Sequence, residues 1–461
     1  MIKHCISILT ISFVCGIATH GYAQSNSSLS SAESDTEITS LYTLLARVGV
    51  HPAIEAERAN LDEAHHQISI QSSLPNPMLM LGIESLPTNS FSFLNDPMTS
   101  KLIGVTQSVL FPGKLAAQAA IAAQDTVTIG SEMSEKENEL ARDIKQAYFE
   151  MYHLERAIAV NEYHVQTMNE LLKTEEHNLT TASATQASIL DMQLERSDIA
   201  TEVLEEKTEL AMERSELERA TGSSITELSM PSTLALPAFS YNLAELDSIA
   251  KCHRPMLAGF RSQAERESLK IQREELNRYP DFQVSLDYMQ RDPLSASSPM
   301  NPANSAAAQA LGIPAMPMAQ SDMVSAGISI ELPFFYGNQR KESIASDLAT
   351  RTMRLEQERS AELDIHTALE AALAKLVGIR KEYDLLRNEI YPVVRMSLQT
   401  STANYSYGKA TIGDVFRDEL DLMHREHDRY RLEAQYNETL ATIEYLTGEN
   451  LVQYSSSNDW K

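Results

Sequence analysis

Beyond its first two dozen residues the sequence has no run of about 18 apolar residues, so none of its helices is expected to cross a bilayer. Cysteine is nearly absent. Of three in 461 residues, Cys5 and Cys15 lie in the first 23, which leaves Cys252, and a lone thiol excludes an internal disulfide. Basic charge is also short, with 38 Lys and Arg against 64 Asp and Glu, a net charge of −26 and a pI near 4.9. That balance excludes nucleic acid and anionic lipid as partners. Glycine is scarce at 16 residues, tryptophan is confined to Trp460, and no phosphate-binding glycine loop is present. No catalytic constellation emerges, so the reading is of a protein that is not an enzyme and has no cofactor. Any coupling to ATP or protons then lies in partners. The abundant carboxylates flank heptads and read as solvated faces and ion pairs.

What is present begins with an export signal. Lys3 and His4 precede the apolar run Cys5–Ile17, and Gly21-Tyr22-Ala23 offers small residues where a signal peptidase reads, so residues 1–23 are expected to be a cleaved signal peptide. Residues 24–37 read as a polar, flexible tail. Stability without disulfides must then come from packing or assembly.

The rest of the chain repeats itself. His51-Pro52 and Arg254-Pro255 each open a helical stretch that ends at a second proline 25 residues on, Pro77 and Pro280. Val105–Lys114 (VTQSVLFPGK) parallels Ile328–Arg340, and Thr221-Gly222 parallels Thr447-Gly448. The expected organisation is a first repeat over 38–230, a linker over 231–242, a second repeat over 243–450 and a C-terminal tail over 451–461. Each repeat reads helix, strand, loop, strand, very long helix, break, helix.

The helices are too long for an ordinary globule. From Lys114 to Asn178 there is no proline and only Gly130, which predicts a helix of about 100 Å. Leu140, Ile144, Ala147, Met151, Leu154, Ile158, Val165, Met168 and Leu172 keep a three-four spacing broken only by Asn161, the pattern of a coiled-coil seam. A return helix is expected after a break at Thr180–Ser183. The strands alternate with period two: Phe282, Val284, Leu286 and Tyr288 in one, and Val324, Ala326, Ile328, Ile330 and Leu332 in another. Leu79, Leu81 and Ile83, and Ile103, Val105 and Val109, alternate less cleanly because Met78, Met80 and Gln107 blur the faces. The two cleaner strands, over about nine to ten residues, suit a tilted crossing of an outer membrane. Aromatic residues at the strand ends, Phe111, Phe334, Phe335 and Tyr336, have the look of interface girdles. Four strands cannot close a barrel, and an open edge is not tolerated in lipid, whereas three chains supply twelve.

These motifs together resemble the outer-membrane efflux family of TolC-like proteins, over about Leu41–Leu451. The residues that carry the likeness are Leu74–Leu79 (LPNPML), the junction Gln107–Lys114, and the run Tyr405–Val415 (YSYGKATIGDV). The resemblance implies a mainly helical, internally duplicated protomer whose homotrimer forms a twelve-stranded β-barrel in outer-membrane lipid, continued by a periplasmic α-barrel. It also implies a periplasmic adaptor and an inner-membrane pump of RND type as partners. At the periplasmic tip, Gly408 fits the turn between helices, Thr411 or Gly413 caps the returning helix, and Asp414 falls in its first turn. By resemblance Asp414 contributes to a constricting ring, while an ordinary capping role is the plainer alternative. Arg417 stands where a second aspartate is expected, and Tyr405 resembles a latch tyrosine whose arginine partner is replaced by Ala410.

The loop Arg291–Met323 carries Met300, Met316, Met318 and Met323, and thioethers suit soft cations such as Cu(I) or Ag(I). The loop resembles those of heavy-metal (CusC/CzcC-type) members, and a plain loop at the barrel mouth is the alternative. His65-His66 and His424/His427 form further candidate metal pairs. Small-organic efflux and type I protein secretion use the same kind of duct, and a periplasmic coiled-coil adaptor is the non-channel reading. One hairpin with flanking β domains is normal for adaptors, and two hairpins with four amphipathic strands count against that.

Overall fold

The computed structural model describes residues 41–180, 185–225, 228, 230–332, 336–452 and 454. The expected signal peptide and tail, Phe334 and Phe335, most of the break after Thr180 and most of the C-terminal tail lie outside these residues. No helix among the described residues is long and apolar enough to cross a membrane.

The chain runs α1 (Leu41–Ala46), α2 (Pro52–Ser72), β1 (Met78–Glu84), β2 (Ser100–Val109), α3 (Lys114–Thr180) and α4 (Gln186–Thr221). The second half follows with α5 (Leu243–His253), α6 (Pro255–Leu276), β3 (Phe282–Gln290), the short α7 (Ala306–Ala310) and β4 (Met323–Ile330). It ends in α8 (Gly337–Leu385), α9 (Tyr391–Ser406) and α10 (Ile412–Thr447). The order repeats as the sequence predicts. Where the first half has one helix of 67 residues, the second has α8 and α9 joined through a π-helical turn, Leu386–Ile390. Pro392 sits just beyond this turn and lacks the N–H that an unbroken α-ladder needs, and such turns are where helices bend.

Both halves close on the same device. α4 ends at Gly222 (φ 67°) and α10 at Gly448 (φ 76°), left-handed caps where glycine bears no steric penalty. A β-carbon on Gly222 would lie 2.7 Å from the His51 ring, and one on Gly448 would lie 2.7 Å from the His253 carbonyl oxygen. The end of each long hairpin is therefore packed against the start of the proline-led helix of its own repeat.

The seam of α3 is where its spacing places it. Leu140, Ile144, Ala147, Met151, Leu154, Ile158, Met168 and Leu172 are buried, and Asn161 is buried with them. The middle of the helical part is knotted by Glu433 of α10, which accepts from the Tyr152 hydroxyl (2.5 Å), the Tyr383 hydroxyl (3.3 Å), Arg429 Nε (3.2 Å) and the Leu234 N–H (3.2 Å). One carboxylate thus joins α3, α8, α10 and the linker. Lys145 and Glu444, both buried, pair at 2.7 Å, and Glu444 also accepts from the N–H groups of Leu451 and Val452, tying down the residues after α10. Such buried charges are tolerated because their remaining hydrogen-bonding capacity is used.

The strands form one antiparallel sheet in the order β1-β2-β3-β4. Its register aligns Leu79, Val105, Leu286 and Ala326 in one cross-strand row, and Leu81, Ile103, Tyr288 and Val324 in the next. These two rows share a face, and nothing among the described residues covers it: Leu79 is 66%, Leu81 69% and Ile328 71% exposed. The opposite face carries Thr106, Ser285 and Gly327 in one row and Gly104, Asp287 and Ser325 in another.

The register corrects the reading that Met78 and Met80 blur the first strand. They lie at the ends of the two polar rows, so β1 alternates after all, with methionine on its polar face. Gln107 is a true polar interruption of the apolar face, in the row of Val284 and Ile328, and its amide donates to the Pro75 carbonyl at 2.7 Å. β1 has 7 residues, and Ser85, in a left-handed conformation (φ 52°), ends it. At the helix end of the sheet Phe111 stacks on Tyr279 (4.4 Å between ring centres), while Lys114 and the Phe111 N–H both reach Asp281 (2.9 and 2.7 Å). The strand-to-helix junction of one repeat is thereby held by the other.

Candidate functional site

Two helical hairpins, α3/α4 and α9/α10, end together at the pole opposite the sheet. Gly408 takes φ +65° in the turn between α9 and α10, with nothing within 4 Å of where a β-carbon would stand, so its requirement is conformational and not spatial. Thr411 is the cap of α10. Its hydroxyl accepts from the Asp414 N–H (3.3 Å), and the Asp414 carboxylate accepts from the Thr411 N–H (2.9 Å) and hydroxyl (2.8 Å). This reciprocal box uses Oδ2 and holds the Asp414 carboxyl below its usual range, through the Thr411 backbone first and its hydroxyl second. Arg417 lies one turn on, 3.8 Å from Asp414 Oδ1, with both side chains exposed.

Tyr405 does have a partner. Its hydroxyl accepts from the Asn178 amide of α3 at 3.1 Å, and Asn178 also donates to Glu175 (3.3 Å). Glu175, itself buried, accepts from the Ser188 hydroxyl of α4 at 2.8 Å. The tip is therefore strung together across α9, α3 and α4 by Tyr405 with Asn178, Glu175 and Ser188, and the sequence motifs did not single out the last three. Sequence offered only the faint signal of polar residues at seam spacing. Ala410, in the turn, takes no part in these bonds.

Higher on the same seam His164 is 1% exposed and lies between two carboxylates of α10. Its Nδ1 is 3.0 Å from Glu419 Oε1 and its Nε2 is 3.7 Å from Glu426 Oε2, contacts carried by charge more than by aligned hydrogen bonds. Burial opposes the imidazolium, but Glu419 and Glu426 outweigh it and the pKa is pushed up to about 9. Tyr391 of α9 donates to Glu426 at 3.0 Å, so this charged layer also spans both hairpins.

At the other end, the loop after β3 is built rather than loose. Leu294 and Met318 exchange backbone hydrogen bonds (2.8 and 3.0 Å), and the Asn301 amide donates to the Met316 carbonyl (2.9 Å). The Ser298 hydroxyl and Ser295 N–H donate to the carbonyls of Asn95 and Leu94 in the first loop (2.6 and 2.7 Å). Met300, Met316, Met318 and Met323 all stay about half exposed or more. Of the histidine pairs, His65, His66 and His424 are exposed. His427 instead turns onto Glu206 of α4 at 3.3 Å, so the spacing-based pair is not the arrangement the fold makes.

An open amphipathic sheet at one end of long paired helices also occurs in known proteins. Residues 247–449 match the family model described as outer membrane efflux protein. The sequence match lies in the second repeat, and solved structures extend the likeness over the first. CusC has 15% identity and a TM-score of 0.69 over 89% of this chain and 92% of that one. The outer membrane protein VceC from Vibrio cholerae has 15% identity and a TM-score of 0.69 over 89% and 97%. The open-state MtrE outer membrane channel of Neisseria gonorrhoeae has 15% identity and a TM-score of 0.67 over 89% of each chain. No curated protein sequence matches the chain. The chain thus has the fold of TolC-like outer-membrane channels, and its second repeat carries the sequence match to outer membrane efflux proteins.

The charged layer in this helical part gives a pH signature. A histidine whose pKa is raised from about 6.5 when unfolded stabilises the fold fully below that value, and the contribution is lost as pH rises through about 9. The melting temperature of the wild-type protein, followed by circular dichroism, should therefore fall more steeply from pH 6.5 to 9.5 than that of His164→Gln. Parallel curves for the two would show that His164 does not carry charge in the folded state.

Proposed function

We propose that three copies of the chain close their sheets into one twelve-stranded barrel, and that this duct releases soft metal ions such as copper or silver. An inner-membrane pump of RND type, through a periplasmic adaptor, delivers them. The observation that carries the assembly is the sheet itself, with one exposed apolar face and two free edges, β1 and β4. Unpartnered apolar side chains on the helices, Leu190, Leu194 and Leu204 of α4 and Val393 and Met396 of α9, support the same reading, since neighbouring copies would cover them.

The cargo reading rests on methionine. With the apolar face toward lipid, the other face lines the lumen. Met78, Met80, Met289 and Met323 belong to that lumen face, with Met289 directly across from Met323. Met300, Met316 and Met318 stand in the loop beyond them. Thioethers bind soft cations weakly and exchange them readily, as a passage requires. In a strain lacking its own copy, the wild-type gene should restore growth on silver or copper, and a variant with Met289→Leu and Met323→Leu should restore it less well. Restoration against dyes and detergents alone, with no effect on metal tolerance, would reject the metal reading.

For the gate, the restraint on opening is assigned to Tyr405 and Asn178, whose bond ties hairpin α9/α10 to hairpin α3/α4, with Glu175 and Ser188 holding Asn178 and α4 in place behind it. Asp414 has its carboxylate largely committed to Thr411, which favours the capping role over a constricting ring. Losing one such hydrogen bond, worth about 1 kcal/mol, shifts a two-state equilibrium about fivefold. In planar bilayers Asn178→Ala should then open more often and conduct more than wild type, and Asp414→Asn should change little. The reverse ranking would return the gate to Asp414.

A further inference from the structure

The polar interruption of the α3 seam leads to a cluster that the duct function does not use. Asn161, 1% exposed, donates from its amide to both oxygens of the Glu206 carboxylate on α4, at 3.1 Å each. The same carboxylate meets Nε2 of His427 on α10 at 3.3 Å. Glu202, one turn before Glu206, completes a set whose ligand atoms all lie within 4.8 Å of one another. Beside it stands His153 of α3, its ring 5.2 Å from that of His427, with a buried Nε2 that has no hydrogen-bond partner. The nearby ammonium of Lys207 is held by Glu162 at 2.6 Å and is committed elsewhere.

We propose that Glu202, Glu206 and His427 form a binding site for a divalent transition-metal ion, zinc by chemistry, that clamps the outer hairpin α3/α4 to α10. Two carboxylates and a neutral imidazole match the charge and the ligand preference of Zn²⁺, and three protein ligands leave a fourth position for water. Bonds of about 2.0–2.1 Å in a tetrahedron put ligand atoms about 3.3 Å apart. His427 and Glu206 already stand at that separation, and Glu202 reaches it by a side-chain adjustment on the exposed surface of its helix. Asn161 acts as the group behind a ligand, fixing the orientation of the Glu206 carboxylate. A buried nitrogen without a partner, such as that of His153, is accounted for where a metal-bound water is near to meet it. Because the ligands come from α4 and α10, an occupied site resists separation of the two hairpins at mid-height, above the tip bonds. The site is independent of what the lumen carries, so it stands or falls separately from the cargo reading.

The test is calorimetric titration of ZnCl₂ into the full-length, detergent-solubilised protein after chelator treatment, with melting followed in parallel. One zinc per protomer and a rise in melting temperature are expected. His427→Ala and the surface change Glu202→Gln should each weaken binding at least about tenfold, and Asn161→Ala about tenfold through Glu206. Changing both exposed histidines, His65→Ala with His66→Ala, should leave the affinity unchanged. Absence of stoichiometric zinc binding would overturn the proposal. So would affinity that survives Glu202→Gln and His427→Ala, or that disappears with His65 and His66. Glu202→Gln, being on the surface, keeps the test decisive if a buried substitution fails to fold.

Discussion

Everything in this protein is arranged around the unpaired backbone groups at the two edges of its sheet. In hydrocarbon each unsatisfied N–H or carbonyl costs several kcal/mol, and no water is present to relieve it. β1 and β4 leave a row of such groups on either side of a sheet whose apolar face is already bare. A protomer of this kind has no stable place in a membrane by itself. The internal duplication supplies two strands per repeat, and the long helices that follow each pair run away from the sheet.

The two repeats are bound to each other at each level. At the sheet, β2 of the first pairs with β3 of the second, and Lys114 reaches across to Asp281 just below. In the middle, Glu433 gathers the Tyr152 and Tyr383 hydroxyls from α3 and α8 and a backbone N–H from the linker. Toward the tip, His164 sits between Glu419 and Glu426, and Tyr405 meets Asn178. The character of these ties changes along the molecule. Buried, multiply bonded carboxylates hold the middle, while single hydrogen bonds and partly exposed groups hold the tip. A structure held in this way yields first where its bonds are fewest, which is the tip.

Much of this was legible in the sequence because periodicity speaks about faces. The three-four spacing from Leu140 to Leu172 named the buried seam of α3 nearly residue by residue, and the alternation from Phe282 to Tyr288 named the bare face of β3. The matching prolines and Thr-Gly pairs marked the duplication, down to the two left-handed glycine caps. What periodicity does not carry is the partner. Tyr405 and Asn178 lie 227 positions apart, and His427 and Glu206 lie 221 apart. Nothing local to either member of such a pair reports the other. Asn161 read as a flaw in an apolar seam and is the support of a carboxylate. Met78 and Met80 read as noise and belong to the polar face, because register is a property of the neighbouring strand.

The central claim, that copies of this chain complete one another's sheet, is open to a direct test at the edges. In a Cys252→Ser background, Leu81→Cys in β1 can be combined in turn with Val324→Cys, Ala326→Cys or Ile328→Cys in β4. A disulfide needs α-carbons within about 7 Å, so only strands that are paired across copies will link. After mild oxidation in outer membranes, one of these pairings should give covalent dimers and trimers on a denaturing gel and nothing larger. A protein that stays monomeric in all three pairings, or a ladder that continues past three, would contradict the account.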